Sequence, residues 1–110
     1  MLFRSLSLED LEIAAPRAGE VRVRLSGSGI CHTDLVCRDA FPVPMPIVLG
    51  HEGSGIVEAV GEGVSDLQVG DAVVLSFASC GHCGNCADHA PAYCHQFFPL
   101  NFAEIGRAHV

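Results

Sequence analysis

The chain has 110 residues, enough for one small domain, and 49% of them are hydrophobic. Trp is absent and aromatics make up 6%, so a core must be built from Val, Leu, Ile and Ala. The net charge of -7, with six arginines and no lysine, excludes the basic face of a nucleic-acid binder, and no apolar run of about 18 residues offers a membrane span. The N-terminus lacks the basic and apolar regions of a signal peptide, so a cytoplasmic setting is expected. There, clustered cysteines are metal ligands more often than disulfides.

Residues 6–15 (LSLEDLEIAA) alternate in short stretches and predict a strand kinked at Glu9-Asp10. Residues 16–20 (PRAGE) are a turn punctuated by Pro and Gly. Residues 21–25 (VRVRL) alternate strictly and predict a half-buried strand, which 26–29 should break. Residues 30–40 (ICHTDLVCRDA) suit one short helix capped near Thr33 or Asp34. Three prolines make 41–46 an extended loop, and 47–49 reads as a short apolar strand. The glycines of 50–63 (GHEGSGIVEAVGEG) mark a strand with close backbone approach. Residues 64–70 are a turn region, 71–77 (DAVVLSF) a buried strand and 96–102 (QFFPLNF) an apolar tail. Short strands divided by Gly and Pro predict a mostly β domain, a small barrel or sandwich with one excursion.

That excursion carries the strongest chemical signal. Cys80, Cys83, Cys86 and Cys94 are spaced C-x2-C-x2-C-x7-C. Short gaps let thiolates converge on one ion, and the longer return brings the fourth to close a tetrahedron, as in structural zinc sites. An iron–sulfur run closes with C-x3-C-P, whereas here seven residues separate the last pair and His95 follows. With four thiolates available, His82, His89 and His95 read as surface residues. Cys31 alone reads as a small buried hydrophobe, and a lone His51-Glu52 pair is weak. Together Cys31 and His51 supply two ligands of an open three-ligand zinc site. Cys37, six residues on, falls on another side of the helix and is read as a packing residue.

The two ends carry a different resemblance. EIGRAHV at 104–110 resembles one reading frame of a widely used short-read sequencing adapter. Met1-Leu2-Phe3-Arg4-Ser5 resembles its reverse complement begun at a GTG start codon. On that resemblance 1–5 and 104–110 are non-native, and the biological stretch is 6–103 of something longer. The encoding DNA decides this.

GICHTDL at 29–35, GHEGSGIVEAVGEGV at 50–64, VGDAVV at 69–74 and the cysteine set at 80–94 together resemble the zinc-dependent medium-chain alcohol dehydrogenases. The wording is most similar to aryl (benzyl) alcohol dehydrogenases. The resemblance implies a GroES-like, partly open barrel with a short helix and a zinc-binding lobe at 80–95. It implies that Cys31 and His51 hold a catalytic zinc, with Glu52 beside it and able to approach the metal. Thr33 takes the alcohol proton, Asp34 orients His51, and His32 lies by the cofactor pyrophosphate. Cys80, Cys83, Cys86 and Cys94 match the structural-zinc lobe. The family's third catalytic ligand, a later Cys, is not found in these residues, nor is a G-x-G-x-x-G signature of the Rossmann domain that holds NAD(P). Val36 stands where some members carry a relay His.

The implied reaction is oxidation of a primary, aromatic alcohol to an aldehyde by hydride transfer to NAD(P), with zinc polarising the alcohol oxygen. These residues alone are not expected to turn over, and the full-length protein is expected to be a homo-oligomer. A formaldehyde/glutathione-type or polyol dehydrogenase of the same superfamily remains open, as does a non-catalytic zinc-stabilised binding module.

Overall fold

The strictly alternating VRVRL stretch opens strand β1 (Val21–Gly29), which pairs antiparallel with β2 (Glu52–Val60). The computed structural model describes residues 6–40 and 47–102. The expectations for both termini and for the proline loop at 41–46 lie outside the described residues. β1 does not break at 26–29. Small residues on both strands, Gly27 opposite Ser54 and Ser28 opposite Gly53, allow the ladder to continue past an irregularity between Leu25 and Gly27. At Gly55 any side chain would run into the Arg24 carbonyl, so the two strands approach as closely as the glycine-rich sequence requires.

The third strand, β3 (Ala72–Val74), pairs with β2 and gives the order β1-β2-β3. It is shorter than the 71–77 segment read from sequence, and it is not buried. Among the described residues its one neighbouring strand is β2, and Val74 is 73% exposed. Residues 6–15 form no strand in the described chain, and neither do 47–49. Leu6, Leu8, Leu11 and Ile13 are all exposed. Alternation states which side a strand would bury, but a strand also needs an adjacent edge to pair with. The mostly β barrel expected from the sequence is therefore seen as a small mixed domain: a three-stranded antiparallel sheet, short helices and a cysteine lobe.

Between β1 and β2 lies α1 (His32–Asp39). Its N-cap is Cys31, in an extended conformation, and not Thr33 or Asp34 as read from sequence. Asp34 acts from the third helical position, where its Oδ2 accepts the Cys31 backbone N–H at 3.0 Å. Cys37 is buried, as the helical spacing predicted, and loss of solvent together with nearby Asp34 raises its thiol pKa. The buried apolar residues among those described are Val57, Cys37 and Cys94, so two of the three are cysteines.

After β3 the chain enters the lobe, with α2 (Gly84–Ala87) and a 3-10 turn at Pro91–Tyr93. The 96–102 tail folds as a helix, α3 (Phe97–Phe102). Pro99 sits in its first turn, where a missing N–H costs little. Asn101 fastens α3 to the start of the lobe: its Oδ1 accepts from Ala78 N at 2.7 Å, and its Nδ2 donates to Ala78 O at 2.9 Å. No helix among the described residues is long and apolar enough to cross a membrane.

Candidate metal centres

The four lobe cysteines converge as their spacing predicts. One ligand atom from each of Cys80, Cys83, Cys86 and Cys94 lies within 4.8 Å of all the others. The sulfurs of Cys80 and Cys86 are 4.0 Å apart, as are those of Cys83 and Cys94. Backbone N–H groups point at the sulfurs. Cys83 N donates to Cys80 Sγ, and Cys80 N and Gln96 N donate to Cys94 Sγ, each at 3.3 Å. Such donors stabilise thiolate over thiol. The N–H groups of His95 and then Cys86 pull the Cys83 pKa down to about 6, and that of Cys80 chiefly lowers Cys94. Loss of solvent pushes Cys86 up to about 11. Gly81, at φ 80, takes the left-handed turn between the first two ligands. His82, His89 and His95 are exposed and stand outside the cluster.

The second centre is assembled from two elements. Cys31 caps α1, and His51 and Glu52 stand where β2 begins; their ligand atoms also lie within 4.8 Å of one another. Asp34 Oδ1 is 3.5 Å from His51 Nδ1, while Glu52 Oε1 is 3.8 Å from the other ring nitrogen. The carboxylate that holds the Cys31 backbone therefore also faces the imidazole. Thr33 Oγ1 lies 3.6 Å from Cys31 Sγ. His32 is exposed at the first helical position.

Sequence reasoning did not place the phenylalanines of α3 beside this centre. Phe77 stacks on His51 with centroids 4.3 Å apart, and Phe97 of α3 packs on Phe77 at 5.0 Å. Thr33, Val36 and Cys37 of α1 face Phe77, Phe97, Phe98 and Phe102 across a pocket of about 280 Å³. The sequence signal was present in QFFPLNF, but a run of apolar residues does not say where it docks. Asn101, which fixes that docking, carries no motif at all.

Residues 17–108 match the family described as the alcohol dehydrogenase GroES-like domain. The chain belongs to that family. A geraniol dehydrogenase from Castellaniella defragrans is 65% identical over 102 residues, 93% of this chain and 27% of that protein. The crystal structure of benzyl alcohol dehydrogenase from Acinetobacter calcoaceticus superposes with a TM-score of 0.85 at 52% identity, covering 91% of this chain and 28% of the other. An alcohol dehydrogenase from E. coli, solved with the cofactor NADH, superposes at 0.78 with 37% identity, covering 96% of this chain and 32% of the other. This GroES-like chain thus spans about a quarter to a third of the length of these relatives.

Within this alcohol dehydrogenase domain the donor chemistry separates the two centres. Four converging thiols with N–H groups on their sulfurs fit a closed structural zinc. The Cys31, His51 and Glu52 set has mixed donors, and its carboxylate is exposed.

Proposed function

We propose that the chain is the zinc-binding part of a medium-chain dehydrogenase that oxidises a primary alcohol with an aromatic or extended apolar side chain to the aldehyde. The observation that carries this reading is the convergence of Cys31, His51 and Glu52 beside Thr33 and Phe77, two residues that line a phenylalanine-rich pocket. In the complete protein this sheet would form part of a partly open barrel. NAD(P) is the proposed hydride acceptor, consistent with the NADH-bound relative.

Cys31 and His51 would hold the catalytic zinc, with Glu52 beside it, and the four lobe cysteines the structural zinc. Zinc, when bound, supplies the Lewis acidity that makes the alcohol more acidic. The Thr33 hydroxyl would take the alcohol proton while giving up its own toward solvent, because it borders both Cys31 and the pocket. Asp34 holds the His51 ring nitrogen that faces away from Glu52, and Phe77 fixes the plane of the ring. His32 is proposed to lie by the cofactor pyrophosphate. With Val36 at the pocket wall, no side chain at that position relays the proton onward.

The pocket favours geraniol-like or benzyl-like substrates over polyols. A polyol would leave its hydroxyls unpaired against Phe77, Phe97, Phe98 and Phe102. The test is steady-state oxidation of geraniol, benzyl alcohol and sorbitol by the full-length protein and by Thr33→Val. Turnover of the apolar alcohols, with kcat falling on Thr33→Val by about a hundredfold, is expected. Preference for sorbitol, or an unchanged kcat, would overturn the reading.

A further inference from the structure

Gly29 ends β1 and faces Glu52, the first residue of β2, directly across the ladder. Its backbone does not call for glycine, since the positive φ angles fall at Gly19, Gly50, Gly63, Gly70 and Gly81. What it needs is space. A Cβ on Gly29 would run into Glu52 Oε2, and would stand 3.2 Å from Glu52 Cβ and 3.4 Å from its Cδ. At Gly55 the obstacle is backbone, so that glycine serves sheet pairing. At Gly29 the obstacle is a carboxylate. The Glu52 side chain lies back over the β1 backbone, two residues before Cys31, with its other oxygen turned toward His51.

We propose that Gly29 is a positioning residue for the metal centre: its missing side chain is the seat in which the Glu52 carboxylate lies within reach of the Cys31 and His51 donors. The proposal rests on the reading of Cys31 and His51 as metal ligands with Glu52 serving the same ion. The obstructing carboxylate is the far end of a flexible side chain, so a methyl group at position 29 displaces it and leaves the sheet paired. Gly29→Ala therefore changes the metal site without altering any chemical donor.

The test uses the full-length dehydrogenase with cobalt in the catalytic site. Metal affinity by chelator competition and the cobalt absorption bands are read for wild type, Gly29→Ala, Glu52→Gln and the double variant. Gly29→Ala is expected to weaken metal binding about tenfold and to shift the bands. The double variant should match Glu52→Gln alone, because the seat matters only through the carboxylate charge it sets beside the donors. A band shift with Glu52→Gln but none with Gly29→Ala overturns the seat, and so do additive effects in the double variant. If Glu52→Gln itself changes neither affinity nor bands, the underlying reading of Glu52 fails. Should Gly29→Ala reduce folding, Glu52→Ala in the same chain restores it by clearing the obstacle; no restoration overturns the proposal.

Discussion

The two candidate metal centres differ in what has to be folded before they exist. The lobe draws all four donors from Cys80 to Cys94, and its own turns and N–H groups aim them. The other centre takes Cys31 from a helix cap and His51 and Glu52 from the start of a strand. It exists only once β1 has paired with β2 and α1 has been capped. A local site is stabilised by its own metal, whereas a site built across elements borrows its geometry from the sheet. That division also separates their chemistry. The self-contained set is all thiol, and the dependent one mixes thiol, imidazole and carboxylate.

Breaking one centre should spare the other, and the effects are unequal. Cys83→Ser should cost the most. Three thiolates no longer close the site, so one zinc per chain is lost and the lobe unfolds, a cost on the order of 5 kcal/mol or more. Cys31→Ala should leave that zinc in place. Metal analysis with thermal unfolding of the full-length protein checks both.

Acid should loosen the lobe next. Zinc must displace any proton that the metal-free cysteines carry. Cys86, raised to about 11, carries one at neutral pH, while Cys83, lowered to about 6, is already a thiolate there. Below about pH 6 Cys83 also binds a proton, so zinc affinity should fall more steeply with acidification than it does above that pH. Chelator competition on either side of that value reads the change of slope.

Asp34→Ala should act on the second centre alone. It removes the acceptor of the Cys31 N–H and the carboxylate facing His51. Cobalt affinity there should drop by about 10- to 100-fold with lobe zinc content unchanged. The smallest effect is expected from Asn101→Ala, which frees α3 from Ala78 and should cost about 1–2 kcal/mol in thermal unfolding.

The same division explains what could be read from the chain in advance. The lobe was legible because its ligands are neighbours in sequence, and the close approach at Gly55 because glycine spacing encodes it. α1 was legible as a helix, though its cap was not: a cysteine is an unusual N-cap, and Asp34 compensates from the third position. The misread segments depend on distant partners. Residues 6–15 have the alternation of a strand but form none among the described residues, 71–77 contribute only the short edge strand Ala72–Val74, and 26–29 continue β1 where Gly53 and Ser54 face them. QFFPLNF is a helix because Asn101 and Phe77 hold it. Nothing in those letters announces the stack of Phe77 on His51.

That stack has a further consequence through chain connectivity. Phe77 and Phe97 stand just before and just after the cysteine lobe, about twenty residues apart along the chain, and their rings meet at 5.0 Å. Their contact closes a loop, and the entropy lost in closing it grows with the freely moving length between them. A zinc ion tying Cys80 to Cys94 removes most of that length. By the logarithmic dependence on loop length this lowers the closure cost by about 1 kcal/mol. A zinc bound in the lobe would therefore act on the ring beneath His51 without touching it, by shortening the effective tether that brings α3 home.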